Sequence, residues 1–316
     1  MGDRARRAKK PVGVALALIS GVAIAAQARI NGQLAVELDD AMLAAAISFA
    51  GGLAVLLMLL PVLPRMRIGV ARIRAALHER VLHRWHLLGG LGGALMIAGQ
   101  SIAVGVLGVA MFTVGVVAGQ AVSGLIVDKI GLGPAGPRPL SLSRILGAAL
   151  LLVAVVITMG GGIHEPGARS WLLVLPVLAG LAVAVQQAIN GRVGAAAHNA
   201  MTATLVNFTV GATALGLAWV VSILIRGGPD QVPSHPVLYA GGLIGVAFIA
   251  FAALVVRWIG VLLLGLASIA GQLIGSLLLD LFLPAHGAGL APSTIGGVVV
   301  ALVAVGIAAL PSRRRR

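Results

Sequence analysis

The sequence predicts an all-α integral membrane protein with ten transmembrane helices, arranged as two inverted five-helix repeats. Three observations lead to this prediction: a composition too apolar for a water-facing surface, long apolar runs, and an alignment between the two halves of the chain. Of the 316 residues, 59% are hydrophobic and only 10% are charged, and the mean hydropathy is +1.06. Soluble domains carry about 25% charged residues. The chain contains no cysteine, which excludes disulfide frameworks and thiolate metal sites.

The apolar runs have the length of membrane spans. A helix needs roughly 20 apolar residues to cross a hydrocarbon core of about 30 Å. Two runs are long enough for two crossings each. The run 87–127 is expected to turn near Gly105 and Gly108, and the run 236–279 is expected to turn at Arg257. The predicted spans are 12–34, 41–63, 87–108, 110–128, 144–161, 171–193, 201–224, 236–257, 260–280 and 292–311.

The basic residues predict the orientation of these helices. Cytoplasmic loops of membrane proteins carry an excess of Lys and Arg. With both termini in the cytoplasm, 20 of the 23 Lys and Arg lie on the cytoplasmic side, and only Arg169 and Arg226 lie outside. The formal net charge of +14 then faces anionic lipid headgroups. Nucleic acid is therefore not an expected partner.

The chain repeats itself in inverted orientation. The stretch "QARINGQL" at 27–34 aligns with "QQAINGRV" at 186–193, an offset of 159 residues. A second block, "AGQAVSGLIVD" at 118–128, aligns with "AGQLIGSLLLD" at 270–280, an offset of 152 residues. We predict a first five-helix repeat over 1–162 and a second over 163–316. Because five is odd, the second repeat enters the membrane inverted, an arrangement typical of secondary transporters.

The repeat also bears on the N-terminus. Its basic residues and the apolar run that ends in Ala26-Gln27-Ala28 have the pattern of a cleaved signal peptide. The repeat counterpart of this run is internal. We therefore expect the first helix to be retained.

These motifs resemble a known family of membrane proteins. Two inverted five-helix halves, with "INGxL/V" in the first helix and "AGQ…D" in the fourth, resemble the drug/metabolite transporter (DMT) superfamily and its YdcZ-like branch. The resemblance covers nearly the whole chain. It implies a ten-helix transporter in the bacterial inner (plasma) membrane. It implies neither a particular substrate nor a set of site residues.

Paired polar residues in the spans are the candidates for a substrate cavity. Residues four apart share a helix face, which groups Gln27 with Asn31 and Gln186 with Asn190. Two interpretations stay open for them. They line a cavity, or they hold helices together through hydrogen bonds worth about 0.6 kcal/mol each. Further paired positions complete the candidate set: Gln120 with Gln272, and Ser48 with Asn207.

Three charged residues are candidates for gating or coupling. Asp128 and Asp280 end the fourth and ninth spans at equivalent positions. A carboxylate there holds a proton or closes a gate, or it only caps a helix or pairs with a basic residue. Arg29 has no such counterpart, because Ala188 takes the equivalent place. Its side chain either snorkels to the interface or faces the cavity, where it would favour an anionic substrate.

The predicted function is secondary, non-ATP transport of a small metabolite or drug by alternating access between the two halves. No catalytic residue, metal or cofactor is expected, and His198 is interpreted as a lone loop residue. The expected partners are a small-molecule substrate and the lipid bilayer, with a homodimer left open. Two alternatives are a non-transporting membrane scaffold and an intramembrane lipid-modifying enzyme. The enzyme would need clustered carboxylates around a divalent metal.

Overall fold

The computed structural model describes residues 3–137, 139–159, 172, 174–229, 231–284 and 291–310. Within these ranges the chain forms ten α-helices and no strand. The α-helices are α1 (Asp3–Leu38), α2 (Ala41–Val62), α3 (Pro64–His78), α4 (Gly90–Leu107), α5 (Val109–Ile130), α6 (Leu142–Met159), α7 (Val174–Ala197), α8 (Ala200–Arg226), α9 (Gly241–Phe282) and α10 (Pro292–Ala308). Short 3-10 helices, Arg84–Gly89 and Pro236–Tyr239, lead into α4 and α9. The predicted boundary at 162/163 and Arg169 lie outside the described residues.

The helices are those of a membrane protein. Seven helical segments in the described ranges are long and apolar enough to cross a bilayer: Pro11–Leu38, Ala41–Val62, Arg84–Leu107, Val109–Ile130, Val174–Ala197, Ala200–Ile225 and Leu263–Phe282. Three shorter apolar helices accompany them, Leu142–Thr158, Gly241–Ala252 and Pro292–Ala308. The prediction of an all-helical membrane protein is confirmed.

Two glycines interrupt the long apolar runs. Gly108, with φ 80° and ψ 166°, separates α4 from α5, as the sequence predicts. The second break is at Gly260, with φ 81° and ψ 167°, inside α9. The predicted turn at Arg257 was wrong by three residues. A positive φ near 80° strains any residue with a Cβ, and glycine adopts it freely, so the break falls at the glycine.

The α2–α4 connection contains a helix where the apolar runs predict only a loop between the spans 41–63 and 87–108. Pro64 begins α3, which buries a face of mainly small and apolar residues: Met66, Gly69, Ile73 and Ala76. Its other face carries four exposed arginines: Arg65, Arg67, Arg72 and Arg74. Such an amphipathic helix escapes a search for uniformly apolar runs.

The α1–α2 and α7–α8 connections are built alike. Asp39 (φ 49°) and His198 (φ 52°) are left-handed residues that end α1 and α7. The next residue caps the following helix: Asp40 Oδ1 accepts from the Leu43 N–H at 2.9 Å, and Asn199 Oδ1 accepts from that of Thr202 at 3.2 Å. Each cap satisfies an N–H of the first helical turn. Both pairs are separated by 159 residues, the offset of the first repeat block.

The tightest packing joins helices from different halves of the chain. The helix α1 lies along α9, and α5 lies along α7. A Cβ added at Gly21 would collide with the Ser268 carbonyl oxygen, and a Cβ at Gly180 would collide with that of Val116. Small residues permit this backbone approach between membrane helices.

A second reciprocal contact joins α2 and α8. The ring of Phe208 covers Gly52, and the ring of Phe49 covers Gly211, so that a Cβ at either glycine would meet the ring. The two rings lie 4.9 Å apart between centroids. Both phenylalanines also line the cavity described next.

Candidate functional site

A cavity of about 820 Å³ lies between helices of the two halves. Its polar lining consists of nine amides, three hydroxyls and one imidazole: Gln27, Ser48, Gln100, Gln120, Gln186, Gln187, Asn190, His198, Asn199, Thr204, Asn207, Ser268 and Gln272. Phe49, Phe208 and Phe248 supply aromatic surface. No Asp, Glu, Lys or Arg lines it among the described residues. The cavity therefore combines amide and hydroxyl groups, without fixed charge, with a largely apolar surface.

Seven of the eight predicted cavity residues line it: Gln27, Ser48, Gln120, Gln186, Asn190, Asn207 and Gln272. The eighth, Asn31, does not. Its side chain is fully buried, and its Nδ2 donates to Gln100 Oε1 at 2.8 Å. A Cβ on Gly241 would collide with Asn31 Oδ1. Asn31 thus joins α1 to α4 through a hydrogen bond and lies close against α9. That the other seven contact a substrate stays a prediction.

The equivalent Asn190 belongs to a cavity-facing network. Gln186 Nε2 and Asn190 Nδ2 each donate to Asn207 Oδ1 at 2.9 Å. The repeat position of Gln100 is Ala252, so the second half has no amide in the place that holds Asn31 in the first. Asn31 and Asn190 occupy equivalent positions in the repeats but have different hydrogen-bond partners.

Sequence reasoning missed several lining residues. Gln100 has no polar counterpart, so a search for repeated pairs passes over it. A sequence feature could have identified Gln100, because "AGQ" at 98–100 repeats the "AGQ" at 118–120 that contains the predicted cavity residue Gln120. His198 lies in the α7–α8 connection, as expected. This connection consists of only His198 and Asn199, and both residues line the cavity, which the sequence analysis did not predict.

The cavity is asymmetric between the two halves. It extends along α7 and α8 to Gly194, His198 and Asn199. The equivalent residues of α1 and α2, which are Ala35, Asp39 and Asp40, do not line it. On the α1 side, the backbone of Gly32 lies against α4, so close that a Cβ added to Gly32 would lie 2.8 Å from the Val104 side chain. The cavity reaches one end of the helix bundle and is closed toward the other.

The paired carboxylates have different partners. Asp280 is 8% exposed and caps α5, accepting from Val109 N at 2.9 Å (Oδ1) and from Ala110 N at 2.7 Å (Oδ2). These N–H groups follow the break at Gly108 and have no partner within their own helix. Asp128 instead forms an ion pair with Arg144 on α6, with both side chains about one third exposed. The contacts are those of a helix cap for Asp280 and of a partner for arginine for Asp128, and a role of either carboxylate in gating or coupling stays a prediction.

Arg29 does not line the cavity. Its Nη2 donates to the Pro284 carbonyl at 3.2 Å, just beyond α9. Arg192 on α7 does the same for α5, donating to the carbonyls of Gly131 and Leu132. Leu132 and Pro284 are 152 residues apart and thus equivalent, although the two arginines are not. A cation near the last carbonyls of a helix is stabilising. Arg29 gives no reason to expect an anionic substrate.

An all-helical membrane protein with an internal cavity that contains amide and hydroxyl groups but no charged residue has the structure expected of a membrane transporter. A family model described as "Putative inner membrane exporter, YdcZ" matches residues 12–157 and 171–308. The chain belongs to this family, as the resemblance predicts, and is a multi-pass protein of the inner membrane. No protein of curated function matches the chain. Within the described residues no three His, Asp or Glu side chains come together to hold a metal.

Proposed function

We propose that the protein is a secondary transporter that moves a small uncharged polar solute by alternating access between two inverted five-helix halves. The observation that carries this proposal is the amide-lined, charge-free cavity, which is open along one half and closed along the equivalent helices of the other.

Ten apolar segments support ten crossings. Seven are long enough by themselves, and three shorter ones belong to helices of the same bundle. The breaks at Gly108 and Gly260 divide each long apolar run into two crossings. The halves are then 1–162 and 163–316, with both termini in the cytoplasm. This orientation assigns α3 and the α7–α8 connection to the cytoplasmic side.

Reciprocal contacts support an inverted relation between the halves. Several contacts between the first and the second half recur at equivalent positions. Gly52 with Phe208 matches Gly211 with Phe49, and the collisions at Gly21 and Gly180 match each other. A pseudo-two-fold axis between two repeats produces such a pattern. Exchanging the conformations of the two halves would close the cavity at α7–α8 and open it at α1–α2.

The lining favours a solute without net charge. Transfer of an ion from water into a low-dielectric site is costly unless an opposite charge receives it. The amides offer neutral donors and acceptors instead. Gln27, Gln120 and Gln272 make no side-chain hydrogen bond to other described residues, which leaves their amides for a solute. Phe49 and Phe208 complement an apolar face.

Asn207→Leu is expected to lower transport about tenfold. The change removes the acceptor of two hydrogen bonds, each worth about 0.5–1.5 kcal/mol. The measurement uses proteoliposomes loaded with a small-molecule cell extract, from which solute release is followed by mass spectrometry. Thr213→Leu is the matched control, because Thr213 lies on the same helix, is exposed and bonds only the Thr209 carbonyl.

This assay separates the parts of the proposal. Release of uncharged solutes by wild type and the control, but weakly by Asn207→Leu, is the expected result. Release of ions alone would overturn the solute class and leave transport standing. If the wild type releases nothing, the transport proposal fails and the scaffold interpretation replaces it.

Cysteine labelling tests the topology against a background free of native cysteine. Glu79→Cys in the α3–α4 segment is expected to react with an impermeant maleimide only from the cytoplasmic side. Gly228→Cys in the α8–α9 connection is expected to react only from the outside. Both positions are solvent-exposed or have open space around them. The two connections are equivalent in the repeats, so labelling of both from one side would refute the inversion.

A further inference from the structure

The α2–α4 segment carries an unpartnered basic corner. A pocket of about 770 Å³ lies at the C-terminal end of α3, lined by Leu77, His78, Arg80, Leu82, His83 and Arg84. The four basic side chains are exposed. No carboxylate of the described residues forms an ion pair with Arg80 or Arg84, and the neighbouring acid, Glu79, does not line the pocket. The corner therefore concentrates positive charge that the protein does not neutralise.

The backbone at this corner is unusual for an arginine. Arg80 has φ 58°, in the left-handed region where glycine is favoured at helix ends. The turn is closed by the Leu82 N–H, which donates to the Ala76 carbonyl at 3.0 Å. Because glycine would adopt this conformation with less strain, we infer that the Arg80 side chain contributes to binding. Here that side chain contributes to the basic pocket.

An exposed apolar strip begins beside the pocket. Val81, Trp85, Leu88 and Leu91 are all exposed, and they lead from the corner along the start of α4. Indole side chains favour the boundary between headgroups and hydrocarbon. A basic pocket at this boundary, continued by an apolar strip, matches the two parts of a phospholipid. A free phosphate ion has no apolar part that could contact the strip.

We propose that this corner binds the headgroup of an anionic phospholipid, with His78, Arg80, His83 and Arg84 around the phosphate and the acyl chains along the Trp85 strip. Clusters of basic residues on amphipathic segments bind anionic headgroups through charge. The corner differs from a diffuse basic surface because its charges converge on one pocket. This inference does not depend on the transport proposal.

The segment that carries the basic pocket packs against helices that line the cavity. Thr202 Oγ1 of α8 donates to the Met66 carbonyl of α3 at 3.2 Å. Ile73, Ala76 and Leu82 pack in one buried cluster with residues of α7 and α8: Val193, Ala197 and Ala203. Ala203 also lines the cavity. A lipid bound at the corner would therefore contact the segment that packs against the helix pair lining the cavity.

Lipid titration of the purified protein in detergent tests the proposal. Phosphatidylglycerol is expected to raise the Tm of the wild type, whereas phosphatidylcholine and inorganic phosphate leave it unchanged. Arg80→Gln with Arg84→Gln is expected to weaken phosphatidylglycerol binding on the order of 30-fold, from about 1 kcal/mol for each basic residue. Arg65→Gln with Arg67→Gln is the matched control, with the same charge change on α3 outside the pocket. It should keep wild-type affinity.

Several results would overturn the proposal. Equal weakening by both double variants would indicate diffuse attraction and no site. An equal Tm shift with inorganic phosphate would indicate a phosphate site, and an equal shift with phosphatidylcholine would exclude charge recognition. If the Arg80/Arg84 variant does not fold, Arg84→Gln alone replaces it, with an expected weakening of about 5-fold. Unchanged affinity in that variant would also overturn the proposal.

Discussion

Gly180→Ala should destabilise the protein by about 1–3 kcal/mol, the usual cost of overpacking a well-packed contact. The added Cβ collides with the Val116 carbonyl oxygen of α5 and lies 2.9 Å from the Gln120 N–H. Neither atom belongs to a flexible side chain, so the two helices must separate. The measurement is the thermal unfolding temperature in detergent. Gly180→Leu should prevent a folded state altogether.

Gly216→Ala on α8 is the matched control. No atom lies within 4 Å of a Cβ at this position, so the same chemical change meets open space. Its unfolding temperature should equal or slightly exceed that of the wild type, since alanine is the better helix former. Equal destabilisation by both substitutions would show that the α5–α7 contact is not as close as described.

The repeat extends this prediction to the other half. Gly21 of α1 meets the Ser268 carbonyl as Gly180 meets that of Val116. Gly21→Ala should therefore cost about as much as Gly180→Ala. A large difference between the two would mean that the halves are packed less alike than the reciprocal contacts indicate.

Asp280→Leu should shift the protein toward the conformation with the opposite opening by about 5- to 30-fold. The change removes the acceptor of two N–H groups at the start of α5, and loss of a helix cap costs about 1–2 kcal/mol. Under alternating access this cap holds the closed end of the cavity. The measurement is labelling of Ala45→Cys from the outside. Ala45 is 0% exposed here and is the repeat equivalent of Thr204, which lines the cavity.

The repeat predicts an opposite result for Asp128. Gly260 matches Gly108 in backbone conformation, so in the exchanged state Asp128 would cap residues 261 and 262 as Asp280 now caps 109 and 110. Asp128→Leu should therefore lower labelling of Ala45→Cys. Its ion pair with Arg144 is about one third exposed and adds little, since such pairs are worth about 0–1 kcal/mol. Unchanged labelling in both variants, with normal unfolding temperatures, would exclude the two carboxylates as gating residues.

The class of fold was predictable because its signals are local. Apolar length alone indicates membrane helices. The N-terminal ends of α2 and α8 follow from their N-capping residues, Asp40 and Asn199. Two errors have equally local causes. The amphipathic α3 lacks the uniform apolarity on which span prediction depends. The charge of Arg257 marks a plausible turn, but the positive φ of the break requires a glycine, and the nearest one is Gly260.

Which residues correspond can be read from the chain, because the two repeats keep their motifs at constant offsets. What each member of a pair contacts cannot be read in that way. Asn31 is locked to Gln100 while Asn190 faces the cavity, and Asp280 caps α5 while Asp128 pairs with Arg144. Equivalent side chains have different partners because those partners are distant in the chain: Gln100 lies 69 residues from Asn31, and Val109 lies 171 residues from Asp280. Only the tertiary structure brings such residues together, and no single stretch of sequence contains both.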